Sequence, residues 1–148
     1  MTAKDYLKNI SLLNEKIKSN LKHIDDLRNK ATNIGSSSNL EIERVQGGNS
    51  NHDKIGELIS KLDEYEKEAN ENIDKYVNAK VEAMSLINKM NNPTHIEILV
   101  MRYFEEATFE EIAVCIDKCW RHTIRLHGYA LQEFQKELDK QQEICNMS

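Results

Sequence analysis

Lys118, Arg121, His122 and Arg125 fall within eight residues of a chain whose net charge is −5, and no Asp or Glu lies between Asp117 and Glu133. Tyr129 and Gln132 follow in the same acid-free run. These side chains suit the contacts a polynucleotide needs. A guanidinium can grip guanine through two hydrogen bonds, a glutamine amide can do the same for adenine, and Lys or Tyr can reach phosphate oxygens. The candidate DNA-contact set is therefore Lys118, Arg121, His122, Arg125, Tyr129 and Gln132.

Other reactive residues suggest less. Cys115, Cys119 and His122 form a C-x3-C-x2-H string, but a structural zinc site wants four ligands and no fourth is evident. Three cysteines cannot make a closed disulfide framework, and buried thiols acting as small apolar groups are the expected state. His23, His52, His95, His122 and His127 have no obvious partner set. The sequence contains no Gly-rich phosphate loop, no H-E-x-x-H and no nucleophile elbow. A non-enzymatic protein with no cofactor, no metal and no catalytic residue is expected.

The basic run needs a helix to display it. At about 100° per residue, Trp120, Thr123, Ile124, Leu126, His127, Ala130, Leu131, Phe134 and Leu138 fall in one arc of roughly 160°. The six candidate contacts fall in a separate arc of roughly 100°. Trp120 and His127 are therefore expected in the core or at its edge. Ahead of this helix, Thr108-Phe109-Glu110-Glu111 and Thr94-His95-Ile96-Glu97 both read as capping boxes that open shorter helices. Asp117-Lys118 makes the turn. Three helices, the middle one of about two turns, outline a helix-turn-helix domain over residues 93–148 with a C-terminal tail.

The first 92 residues have a different rhythm. Ala3, Tyr6, Ile10, Leu13, Ile17, Asn20, Ile24 and Leu27 alternate three and four apart, and so do Ile55, Leu58, Leu62, Tyr65, Ala69, Asn72, Tyr76, Ala79, Ala83, Leu86 and Met90. Such stripes predict two long helices, 1–34 and 53–91, in an antiparallel coiled-coil hairpin with a loop at 35–52. Within that loop Leu40–Val45 reads as a short strand or a turn of helix. Asn20 and Asn72 are expected to meet in the seam, each amide supplying the other's hydrogen-bond partner. Tyr, Leu and Ile flanking the stripes require cover from the C-terminal unit or from a second copy, so a homodimer through the hairpin is expected.

Composition agrees with an all-α chain. It is 39% hydrophobic and 30% charged, with one Pro and five Gly in 148 residues and a mean hydropathy of −0.67. No apolar run reaches the length of a membrane span, and the N-terminus lacks a signal-peptide core. A soluble, cytoplasmic protein without a membrane partner is expected. Lys and Arg number 14 against 15 acids up to Asn92, and 6 against 10 from Pro93 onward. Long-range steering onto DNA should therefore be weak, leaving the local basic run to supply the grip.

Phe109-Glu110-Glu111-Ile112-Ala113 and Trp120-Arg121-His122-Thr123-Ile124-Arg125-Leu126-His127-Gly128-Tyr129-Ala130-Leu131 resemble region 4 of bacterial sigma factors. They resemble more closely the phage-encoded regulators of the ArpU and RinA type that carry a sigma-like C-terminal domain. Thr2-Ala3-Lys4-Asp5-Tyr6-Leu7, Arg44-Val45-Gln46 and Asp53-Lys54 are similar to the same phage proteins. The resemblance implies a sequence-specific regulator of phage or prophage transcription in a bacterial host, with double-stranded DNA and host RNA polymerase as partners. The chain departs from the pattern in three places. Asp117 stands where the turn usually has Gly, Cys119 where the helix cap is usually Ser or Thr, and Trp120 where sigma proteins carry a basic residue. A protein-interaction module, binding RNA polymerase or a phage component through the coiled coil, is the alternative. A small terminase subunit also joins a helix-turn-helix to long helices, but there the DNA-binding unit comes first.

Overall fold

The computed structural model describes residues 1–37 and 50–148, with the side chains of 1–33 and 53–148. The described residues are all-helical: α1 (Ala3–Ser37), α2 (Ser50–Ile87), α3 (Pro93–Tyr103), α4 (Phe109–Cys115) and α5 (Trp120–Met147). None of these helices is long and apolar enough to cross a membrane. The short segment Leu40–Val45 expected between the long helices lies outside the described residues. The first helix continues past Gly35, where a break was expected.

Helix ends follow local chemistry. Thr2 opens α1, accepting from the Asp5 backbone N–H at 3.2 Å and donating its hydroxyl to Asp5 Oδ2 at 2.6 Å. The second helix ends at Ile87, four residues before the expected Asn91. Its last turn tightens, with Lys89 N–H donating to Leu86 O and Met90 N–H to Ile87 O, which satisfies terminal carbonyls by i→i−3 bonds. The third helix starts earlier than the Thr94 capping box suggests. Asn92 is the cap, its side chain accepting from Thr94 N–H at 3.0 Å, and Pro93 takes the first helical position, where its missing N–H costs nothing.

Packing divides the described residues into two compact units, one of residues 1–13 and 76–148 and the other of 14–75. The expected boundary at Asn92-Pro93 falls within the first of these units, whose core draws on residues from both sides of it. Leu7, Ile10, Ala83, Leu86 and Ile87 are buried in one cluster with Leu99, Tyr103, Ala130, Phe134 and Leu138. The ends of α1 and α2 therefore find their cover on α3 and α5. Leu7, which only flanked the sequence stripe, is fully buried, and Tyr6 lies 5.8 Å from the Phe134 ring. A second cluster beneath α4 gathers Ile98, Ala107 and Ile112.

In the unit of residues 14–75, Ile17, Ile24 and Ala69 are buried. His23 stacks on Tyr65 at 5.9 Å, and Arg28 pairs with Glu66 at 2.6 Å on the exposed side. The expected Asn20–Asn72 amide pair does not form. The Asn20 Nδ2 is buried without a hydrogen-bond partner, so its desolvation is not offset.

Candidate nucleic-acid interface

The start of α5 is set by the turn that precedes it. Ile112, at 0% exposure, and Ala113 anchor α4 to the core, and its first turn carries a complete capping box. Glu111 N–H donates to Thr108 Oγ1 at 3.2 Å, and Thr108 N–H donates to Glu111 Oε2 at 3.0 Å. The helix closes with Asp117 N–H on Val114 O at 3.3 Å and Lys118 N–H on Ala113 O at 3.0 Å. That pair of bonds is a Schellman closure, which demands a left-handed residue. Asp117 fills the place at φ 54°, where Gly would carry no Cβ penalty.

Cys119 is the N-cap of α5, but its side chain makes no capping hydrogen bond. The first turn holds by its backbone and by Thr123, which is buried and returns its hydroxyl to Cys119 O at 3.0 Å. Cys115, Cys119 and Cys145 are all exposed. The expectation of buried thiols is thus overturned: Cys115 and Cys119 flank the turn on its outer side, beyond the packed faces of α4 and α5. Among the described residues no group of three or more His, Cys, Asp or Glu could hold a metal ion.

Behind this helix a polar and aromatic chain ties α3, α4 and α5 together. Arg102 donates to Ala107 O at 3.0 Å and lies 4.3 Å from the Phe109 ring centre, a cation–π distance. Phe109 meets His127 edge-on at 5.1 Å, and Tyr103 Oη shares a 3.0 Å hydrogen bond with His127 Nε2. Burial first, then the positive charges of Arg102 and Lys4, push the His127 pKa down to about 4. His127 is therefore a neutral core residue, as the wheel predicted. Burial raises Tyr103, against a smaller lowering by Arg102.

A second tie fixes the middle of α5. Glu133 Oε1 accepts from the backbone N–H of Asn91 at 2.7 Å and of Asn92 at 3.3 Å, and Oε2 meets His95 Nδ1 at 2.6 Å. Burial alone would raise this carboxyl, but the His95 and backbone hydrogen bonds outweigh it and hold its pKa below the ordinary value. Glu133 thus fastens α5 to the N-terminus of α3, where a helix favours negative charge. Nothing local in the sequence marks it, since its partners lie 38 to 42 residues away.

Of the six candidate contacts, Lys118, Arg121, Arg125, Tyr129 and Gln132 are exposed and His122 is half-buried. On α5, Arg121, Gln132, Arg125 and Tyr129 lie within about 80° of one another, with His122 at the edge. Lys136, also exposed, falls in that arc and was missed because it lies beyond Glu133, outside the acid-free run. Trp120 overturns its expected place: it is 49% exposed. The wheel sets it on the inner side, but as the first residue of the helix it projects past the core that covers Thr123 and His127. Glu110 on α4 and Asp117 in the turn are also exposed.

Comparison with known proteins adds a family and no activity. No curated protein and no solved structure matches the chain. A family model matches residues 34–139, well over half of the sequence, and by it the chain belongs to the family described as "protein of unknown function (DUF1492)".

Proposed function

We propose that α4, its turn and α5 act as a sigma-like helix-turn-helix that binds double-stranded DNA in a sequence-specific way and regulates phage or prophage genes. One observation carries the reading. Lys118 in the turn and Arg121 and Arg125 on the first two turns of α5 stand exposed, and buried residues and the Schellman turn hold that helix from behind. Early residues of such a helix reach base edges, and later ones meet the backbone. In this reading α1 and α2 form an antiparallel helical hairpin used for dimerisation or for docking RNA polymerase. The exposed apolar side chains Leu12, Leu21, Ile59, Val77 and Val81 along the two helices support that role.

The test is duplex binding by the whole protein with Arg121→Ala plus Arg125→Ala. The double variant should keep the parent's helical content and urea midpoint and lose duplex binding. Equal binding by parent and variant would remove these arginines from the interface. The acidic balance of residues 93–148 favours a second reading, in which the domain contacts a protein and not DNA. Absence of duplex binding at low salt, with tight capture of RNA polymerase, is its expected outcome.

A further inference from the structure

Trp120 is the only tryptophan of the chain, and its 49% exposure is unusual for so large an apolar ring. It belongs to neither apolar cluster, and none of the ring contacts among the described residues involves it. A tryptophan gains most from a surface that is apolar at one end and polar at the other, which is why the type concentrates at binding interfaces. The charge around it selects the kind of surface. Lys118 stands two residues before it, Arg121 follows directly and Arg125 lies five residues on, and all three are exposed. A purely apolar protein patch would have to desolvate these cations, whereas a polyanion neutralises them.

Geometry narrows the contact further. Trp120 opens α5, the end of a recognition helix that enters the major groove most deeply. The one apolar feature on the major-groove edges is the C5 methyl of thymine, and the indole N–H, a donor only, matches the thymine O4 and purine N7 acceptors beside it. Resting on the DNA reading above, we propose that Trp120 is a specificity-determining contact that packs against a thymine methyl in the major groove. The residue supplies what arginine cannot, an apolar reading of one base, while Arg121 and Arg125 hold the duplex.

The experiment uses the full chain and duplexes enriched by it from a random-sequence pool, each fluorescently labelled for affinity. Emission of the single Trp reports position 120 alone. On binding, acrylamide quenching should fall at least about twofold as the indole leaves water. Exchanging thymine for deoxyuridine, one position at a time, removes only the methyl; one such exchange should weaken the parent about tenfold and leave Trp120→Ala unchanged. Trp120→Phe should retain most of the parent's affinity. The uracil exchange needs no variant, so the result stands even if Trp120→Ala unfolds.

Several outcomes would overturn the proposal in distinguishable ways. Duplex binding that needs Arg121 and Arg125 but leaves Trp120 fully quenchable keeps the DNA reading and removes this contact. Tighter binding to the unpaired strand, with Trp120 protected, replaces the methyl contact with base stacking. Failure to enrich any duplex removes both readings together.

Discussion

His127 separates what a residue type suggests from what its position makes of it. A histidine two residues from Arg125 could pass for a DNA ligand, yet helical spacing alone assigned it to the core. Its hydrogen bond to Tyr103 and its contact with Phe109 support that assignment. The consequence is a pH dependence of stability. The folded pKa of about 4 lies below the ordinary 6.5, so the unfolded chain takes up the proton first as pH falls. The stabilisation is complete above pH 6.5 and is lost progressively toward pH 4. The Glu133 carboxyl, also held low, acts in the same direction but only in the acid range below its ordinary 4.5. Urea midpoints measured from about pH 7 to about pH 5 should therefore fall in the parent and fall less in His127→Gln. Equal slopes would remove His127 as the source. Trp120 shows the opposite case. Its spacing also pointed inward, but periodicity cannot tell that a helix's first residue overhangs the core.

At the scale of the element, the informative place is the turn between α4 and α5. Short-range patterns were legible there. The Thr108 capping box was read from its spacing and is formed by both hydrogen bonds. The Thr94 box had the same spacing and lost to Asn92-Pro93, because a proline fixed at the first helical position sets the start two residues earlier. Cys119 stands where a Ser or Thr cap is usual, and its side chain makes no capping bond. Giving that position an acceptor should stabilise the protein. Cys119→Ser is expected to add about 1 kcal/mol, measured by urea unfolding. An unchanged midpoint would mean that the Thr123 bond to Cys119 O already holds the first turn as firmly as a cap would. What sequence could not reveal was the Glu133 clasp on Asn91, Asn92 and His95, because long-range partners leave no local signature.

For the whole molecule, the stripes of α1 and α2 were legible, but not which surfaces would share them. Leu7, Leu86 and Phe134 come from helices far apart in sequence and meet in one core cluster, so residues 93–148 do not carry their own complete core. Leu7→Ala should cost about 2–5 kcal/mol in urea unfolding, and a fragment of residues 93–148 should lack a cooperative transition. A fragment as stable as the full chain would contradict that account of the core. Asn20 Nδ2 is buried without a hydrogen-bond partner, because helical spacing specifies which positions turn inward and not which functional groups meet there. In the proposed function a local cationic face grips DNA despite the chain's net charge of −5, and the salt dependence of duplex affinity for the full-length protein tests this. If Lys118, Arg121 and Arg125 each displace a counterion, the logarithm of the association constant should fall against the logarithm of salt with a slope of about −3, and replacing either arginine by Ala should reduce the slope by about one. A slope near zero, or one that neither arginine variant changes, would contradict the account.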